Sequence, residues 1–161
     1  MYEWGRTMEN VERKIDLLRT ITPFATLPTV SLRPVAQAAD VVRFGAGEVI
    51  VKQGGPGDAV YGLIDGAAEV WLEEPGQQPV RLRTMRAGQL FGETAVLYRG
   101  PRSATIQAKT DVLTLRIPGV TFLQLLHASP DLAVHVAVVL AQRLASDRHT
   151  LASDPTTSDA A

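Results

Sequence analysis

Glu93 and Arg102 stand nine positions apart, separated by Thr94-Ala95-Val96-Leu97-Tyr98-Arg99 and a Gly100-Pro101 corner. The spacing predicts a short turn of helix that starts beside Gly92. A glycine next to an acidic residue at a helix start leaves backbone N–H groups pointing outward, and such a terminus favours an anion. Arg102, fixed by the preceding Pro101, adds a bidentate cationic fork for the same anion. Glu93 is out of place as a phosphate ligand but suits a hydroxyl carried by the same molecule. One phosphate with one nearby hydroxyl describes a ribose phosphate.

The run Phe91-Gly92-Glu93, Ala95, Pro101-Arg102-Ser103-Ala104 and Thr105 resembles the phosphate-binding cassette of the cyclic-nucleotide-binding domain family. That family includes protein kinase A regulatory subunits, the catabolite activator protein and cyclic-nucleotide-gated prokaryotic channels. The resemblance implies that Glu93 binds the ribose 2′-hydroxyl and Arg102 the cyclic phosphate. It places Gly92, Thr94, Ala95, Ser103 and Ala104 in the same ligand-binding stretch. Thr94 departs from the pattern, which usually has a hydrophobic residue there. Matching the corners at Gln53-Gly54, Gly66 and Gly88 implies a base pocket of Val51, Val70 and Leu82, with plain core packing as the alternative. By the same resemblance Ser103 leans towards cAMP over cGMP. Arg143, thirteen residues after Pro130, stands where several relatives fold an arginine over the nucleotide. A guanidinium there stacks on a purine face or reaches the phosphate. The alternative is a solvated arginine favoured by the helix dipole.

These residues need a scaffold. Val11, Ile15 and Leu18 sit at helical spacing, predicting a helix from about Thr7, with Glu9 and Arg13 paired on its other face and Pro23 as its end. A second helix is expected over Thr29 to Ala39, with Pro34 marking its start or a kink. From Val41 onward, short apolar runs alternate with turns at Gly45-Ala46-Gly47, Gly54 to Gly57, Asp65-Gly66 and Pro75-Gly76, and Val80 to Met85 alternates with period two. Strands follow at Ser103 to Ala108 and Val112 to Ile117. The fold class is α+β: an eight-stranded antiparallel β-roll, jelly-roll-like, with N-terminal helices and the cassette between the sixth and seventh strands. A short helix over Val120 to Ala128 follows. Ser129 then reads as an N-cap and Pro130 as the first residue of a helix running to about Arg148. That helix is apolar on nearly every face from Leu132 to Ala141, which predicts burial on more than one side. The expected divisions are 1–40 (N-terminal helices), 41–117 (roll, with the cassette at 91–105), 118–149 (closing helices) and 150–161 (a disordered tail).

The 161 residues suit one domain, and the net charge of −1 indicates neither a basic nucleic-acid surface nor an acidic tail. The sequence has no cysteine, which removes disulfides, thiolate nucleophiles and zinc–cysteine sites, and it fits a cytoplasmic protein. No apolar run approaches the roughly 20 residues of a membrane span. All three histidines, His127, His135 and His149, fall in the closing helices, so no metal site of the cupin kind forms on the strands. There is no Gly-x-Ser-x-Gly elbow or P-loop, and no room for a helix-turn-helix after Arg148. The reading is a regulatory module, not an enzyme, with cAMP or cGMP as ligand and no metal or cofactor. It expects an effector, in a longer parent chain or a separate partner, controlled by movement of the last helix. A ligand-free degenerate roll used for homodimerisation is the alternative.

Overall fold

The computed structural model describes residues 10–153. The expected helix start at Thr7 and the Glu9–Arg13 pair lie outside the described residues. The first helix, α1 (Val11–Arg19), is capped by Asn10, whose Oδ1 accepts the Glu12 N–H at 2.8 Å. Its buried face carries Ile15, Leu17 and Leu18. Lys14 shares this face, and its Nζ donates to the Ala39 carbonyl at 2.6 Å, which compensates the burial of its charge. The helix stops at Arg19, ahead of Pro23. Thr20 ends it by donating its hydroxyl to the Leu17 carbonyl at 2.6 Å. Pro23 instead opens a single 3-10 turn (Thr22–Phe24) that seats the fully buried Phe24. Helix α2 (Thr29–Ala38) packs on α1 with Leu32, Val35 and Ala36 buried, and it carries Pro34 in its interior.

Eight strands follow. They are β1 (Asp40–Phe44), β2 (Val49–Val51), β3 (Ala59–Asp65), β4 (Ala67–Leu72), β5 (Val80–Arg86), β6 (Leu90–Phe91), β7 (Thr105–Ala108) and β8 (Val112–Pro118). They form two antiparallel sheets in the orders β1-β8-β3-β6 and β2-β7-β4-β5, the expected β-roll. β3 is buried on both faces. Ala59, Tyr61 and Leu63 point into the roll, while Val60 joins the core shared with the helices. The seventh strand starts at Thr105, two residues later than the sequence suggested. The backbone of Arg102 pairs with Gly54 and Gly55 at 2.9 Å each, and this leaves Ser103 and Ala104 in the cassette.

The cassette helix α3 (Glu93–Tyr98) lies between β6 and β7. Helices α4 (Gly119–Ala128) and α5 (Pro130–Ala152) close the chain and meet at a bend of 117°. Three expectations about α5 change. It runs to Ala152, not Arg148, so the predicted tail begins later, and residues 154–161 lie outside the described residues. Ser129 occupies the N-cap position, but its side chain makes no capping bond. The helix is also not buried on several sides. Leu132 and Val136 are covered, whereas Val134 and Leu144 are 64% and 65% exposed. After its first turns α5 leaves the apolar core and meets the roll through charged side chains. Among the described residues no single helix is long and apolar enough to cross a membrane.

Candidate functional site

Gly92 ends β6 in the left-handed region at φ 83°, a conformation that β-branched and bulky residues avoid. A Cβ there would also stand 2.8 Å from Arg102 Nη1. Glycine therefore supplies both the turn into α3 and the space for the arginine. At the other end of α3, Arg99 adopts φ 56° and the Gly100 N–H reaches back to the Ala95 carbonyl at 3.0 Å. This reversal carries the chain through Pro101 to Arg102 on the same side as Glu93.

Arg102 is 5% exposed. Its Nε donates to the Pro56 carbonyl at 3.1 Å, Nη1 to Gly92 at 2.7 Å and Nη2 to Ala59 at 2.7 Å, with the Asp58 carboxylate 3.6 Å away. Three of five N–H donors are thus committed to backbone carbonyls, and the remaining two can meet an anion. Burial lowers the Arg102 pKa from its ordinary value, and the residue stays charged. Glu93 is 3% exposed, and Arg143 of α5 donates to its Oε1 through Nη1. Arg143 Nη2 also donates to the Leu90 carbonyl at 2.6 Å. Burial pushes the Glu93 carboxyl above its ordinary 4.5, and the Arg143 charge opposes that rise.

A cavity of about 40 Å³ lies in the cassette. Gly92, Glu93, Thr94, Ala95, Arg102, Ser103 and Ala104 line it, and so do Val51 and Val70 from the strands. The structure therefore gathers most of the predicted site residues around one space. Two of them stand elsewhere. Leu82 is half-buried against the roll core, away from the cavity. Arg143 belongs to an adjoining cavity of about 400 Å³ between α5, β6 and the 3-10 turn, whose apolar wall includes Leu90, Val136 and Val139.

Sequence reasoning missed Arg83 and Asp147. Strict alternation over Val80 to Met85 turned Leu82 inward and Arg83 outward. A bulge at Leu82 on β5 itself breaks that alternation: consecutive Val70 and Trp71 of β4 pair with Arg83 and Arg81, and Leu82 is left without a register partner. Arg83 therefore faces the roll interior and lines both cavities, as does Glu93. Its Nη1 donates to Oδ2 of Asp147 on α5. Asp147 follows Arg143 by four residues, so both project from one face of the helix. That spacing was the available signal. Two ion pairs, Arg143–Glu93 and Arg83–Asp147, tie the last helix to the cassette and to β5.

The arrangement can hold an anion beside a hydroxyl-bearing group, with an apolar and guanidinium-lined space next to it. It offers no nucleophile–base pair, and among the described residues no group of three or more His, Cys, Asp or Glu side chains could hold a metal ion.

Known proteins share this arrangement of elements. A cAMP-dependent protein kinase regulatory subunit of Emericella nidulans is 36% identical over 116 residues, which is 72% of this chain and 26% of that subunit. A cGMP-dependent protein kinase of Plasmodium berghei is 36% identical over 100 residues, or 62% of this chain and 11% of that kinase. The chain thus spans about a quarter of the first of these relatives and a smaller share of the second. Among solved structures, the regulatory domain of Toxoplasma gondii PKA in complex with cAMP is similar, with a TM-score of 0.73 and 25% identity over 83% of this chain and 52% of that one. The profile of the cyclic nucleotide-binding domain matches residues 41–129, more than half of the chain and the whole cassette, and the chain belongs to that family.

Proposed function

We propose that this chain is a non-catalytic regulatory module that binds a 3′,5′-cyclic purine nucleotide and reports it through α5. The observation that carries the reading is the meeting of Glu93, from the cassette, with Arg143, from the last helix. In this reading Arg102 takes the cyclic phosphate with its two uncommitted N–H groups, and Glu93 accepts the ribose 2′-hydroxyl. A carboxylate accepts at both oxygens, so Oε1 serves Arg143 while Oε2 serves the ribose. Arg143 is then the lid residue, reaching the nucleotide along the carboxylate that the nucleotide uses. Val51 and Val70 line the inner wall, with Thr94, Ala95, Ser103 and Ala104 around the phosphate.

A cavity of about 40 Å³ holds a few waters or a small anion, not a purine nucleoside. The base must use the adjoining space between the cassette and α5, where it would contact the helix. Ligand and helix position become thermodynamically linked, and the link runs both ways. An effector, carried in a longer chain or by a separate protein, reads the helix. Ser103 and the cAMP-dependent relatives make cAMP the first ligand to test. The intact cassette disfavours a ligand-free assembly module.

Calorimetric titration of nucleotide-free protein with cAMP and cGMP tests the reading. Saturation at one nucleotide per chain supports it. No heat with either nucleotide, in protein shown to be folded, overturns it.

A further inference from the structure

We propose that the segment Met1 to Glu9 straps across α2 and seats Trp4 in a groove between α2 and α4, fastening the first helices to the closing ones. The inference is independent of the cyclic-nucleotide reading. The groove has a volume of about 380 Å³. Val30, Pro34 and Val35 of α2 and Leu125 and Ala128 of α4 line it. Val35 and Leu125 are buried and give it an apolar floor, while Val30 at the rim is 78% exposed. Among the described residues no charged side chain lines the groove, and none of its lining residues lines the cassette cavity.

Chain direction and length put the segment within reach. Lys14 of α1 meets Ala39 at the end of α2, and Arg19 meets Thr29 at its start, so the two helices run antiparallel. The ion pair Glu12–Arg33, at 2.7 Å, holds the first turn of α1 against the middle of α2. The chain ahead of Asn10 therefore starts beside α2. Arg33 and Val30 are three residues apart and share one face of that helix. Trp4 stands six residues before Asn10, and six residues extend to about 20 Å. A helix is only about 10 Å across, so the segment can pass over Val30 and enter the groove on the far side of α2.

The segment carries side chains that suit the site. Met1, Tyr2, Trp4 and Met8 are large and apolar or aromatic. An indole has a broad apolar face and one N–H donor, so it takes an apolar bed with an acceptor at its edge. The groove supplies both, because Ser31, Thr121, Gln124 and Ser129 set hydroxyl and amide oxygens among its apolar walls. Ser129 makes no capping bond to α5, which leaves its hydroxyl to serve the groove. The neutral lining offers no counter-charge to Glu3, Arg6 or Glu9, and these stay on the solvent side. Ser129 also stands at the 117° bend between α4 and α5, so the strap braces the foot of α5. Neither Arg143–Glu93 nor Arg83–Asp147 supplies a hold at that place.

Trp4 and Trp71 are the two tryptophans of the sequence, so Trp71→Phe in the full chain leaves Trp4 as the sole fluorescent reporter. We expect its emission to be blue-shifted and protected from acrylamide. Both properties should become solvent-like in Ala128→Arg, which fills the groove from an exposed position. Gln124→Arg, at a second exposed lining position, repeats the test should Ala128→Arg fold poorly. Val134→Arg, exposed on α5 and off the groove, should leave the emission unchanged. In the otherwise native chain, Trp4→Ala should quicken amide exchange in α4 by about tenfold, the worth of one large apolar side chain after its ordering cost. Solvent-like Trp4 emission in the unblocked protein overturns the strap. Burial of Trp4 that survives both groove variants overturns the groove as its seat. Burial that appears only as the mass doubles with concentration overturns the strap within one chain and gives the groove to a second copy. Exchange in α4 that Trp4→Ala leaves unmoved overturns the bracing role.

Discussion

Two arginines, Arg102 and Arg83, line the same cassette cavity and are held in opposite ways. Arg102 is fixed by main-chain carbonyls from three separate segments, at Pro56, Ala59 and Gly92. Arg83 is held by one carboxylate on a helix whose neighbouring tie is a second ion pair. Carbonyls of a β-roll cannot leave without unfolding the roll, whereas a side chain on a terminal helix can. In the proposed reading the difference separates an anchoring end, which would grip the ligand, from a movable end, which would respond to its arrival. The exposure of Val134 and Leu144 fits this division, because little apolar surface holds α5 beyond its first turns.

The largest effect is expected at Arg102. Arg102→Ala should weaken nucleotide binding by about 2–5 kcal/mol, since it leaves the phosphate charge unpaired in a buried site. The same change should lower the stability of the unliganded protein by about 1–3 kcal/mol, because the Ala59 and Gly92 carbonyls lose their donor. Calorimetry and urea melts read the two effects separately. A large loss of binding with unchanged stability would show that the carbonyl bonds do not anchor the roll.

Glu93 lies between the two ends and should give a middle-sized effect. Glu93→Ala, or a 2′-deoxy nucleotide with the intact protein, should each cost about 1–3 kcal/mol of binding, and the two losses should not add. An undiminished affinity for the 2′-deoxy compound removes Glu93 from the ribose. Its ionisation adds a pH signature. The folded-state pKa lies above 4.5, so the unfolded chain releases this proton first. Stability contributed by the group is then fully present below 4.5 and is lost as pH rises through the folded value. In urea melts between about pH 4 and about pH 7, the stability of the wild type relative to Glu93→Gln should decline as pH rises. A difference that grows with pH would mean that the Arg143 pairing outweighs the burial of the carboxyl.

The anchoring end was legible in the sequence and the movable end was not. Gly92, Glu93 and Arg102 belong to one short stretch, where residue type and spacing fix the backbone turn and the side-chain directions together. The strands were legible for the same reason, since turn glycines and apolar runs are local. Arg83 turned inward because the bulge at Leu82 on β5 puts it on the same face as the buried Met85. The period of β5 carries one trace of it, since Met85 is apolar at the parity of Arg81 and Arg83 and not at that of Val80 and Leu82. The burial of α5 was overread for a related reason. Apolar composition reports what a helix could cover, and nothing in its own sequence says how much of the roll lies beneath it. Arg143 was found by resemblance, but its partner came from the packing of elements fifty positions apart.

The smallest expected effect bears most directly on the movable end. Asp147→Ala removes one of the two ion pairs on α5 and leaves Arg143–Glu93 in place. The pair is partly solvated and meets at one corner, so its loss should cost only about 0.5–1 kcal/mol. Global stability in urea should hardly move. Amide hydrogen exchange in residues 143–152 should instead quicken by about threefold to fivefold, because local opening of a helix end is governed by its own few contacts. Exchange in β3 and β8, at the centre of the roll, should stay as it was. If the helix end and the roll quicken together, α5 opens only when the whole roll does, and the division between an anchoring and a movable end fails. If only the helix end responds, breaking the Arg83–Asp147 pair is enough to loosen it, at the cost of no more than this small free energy.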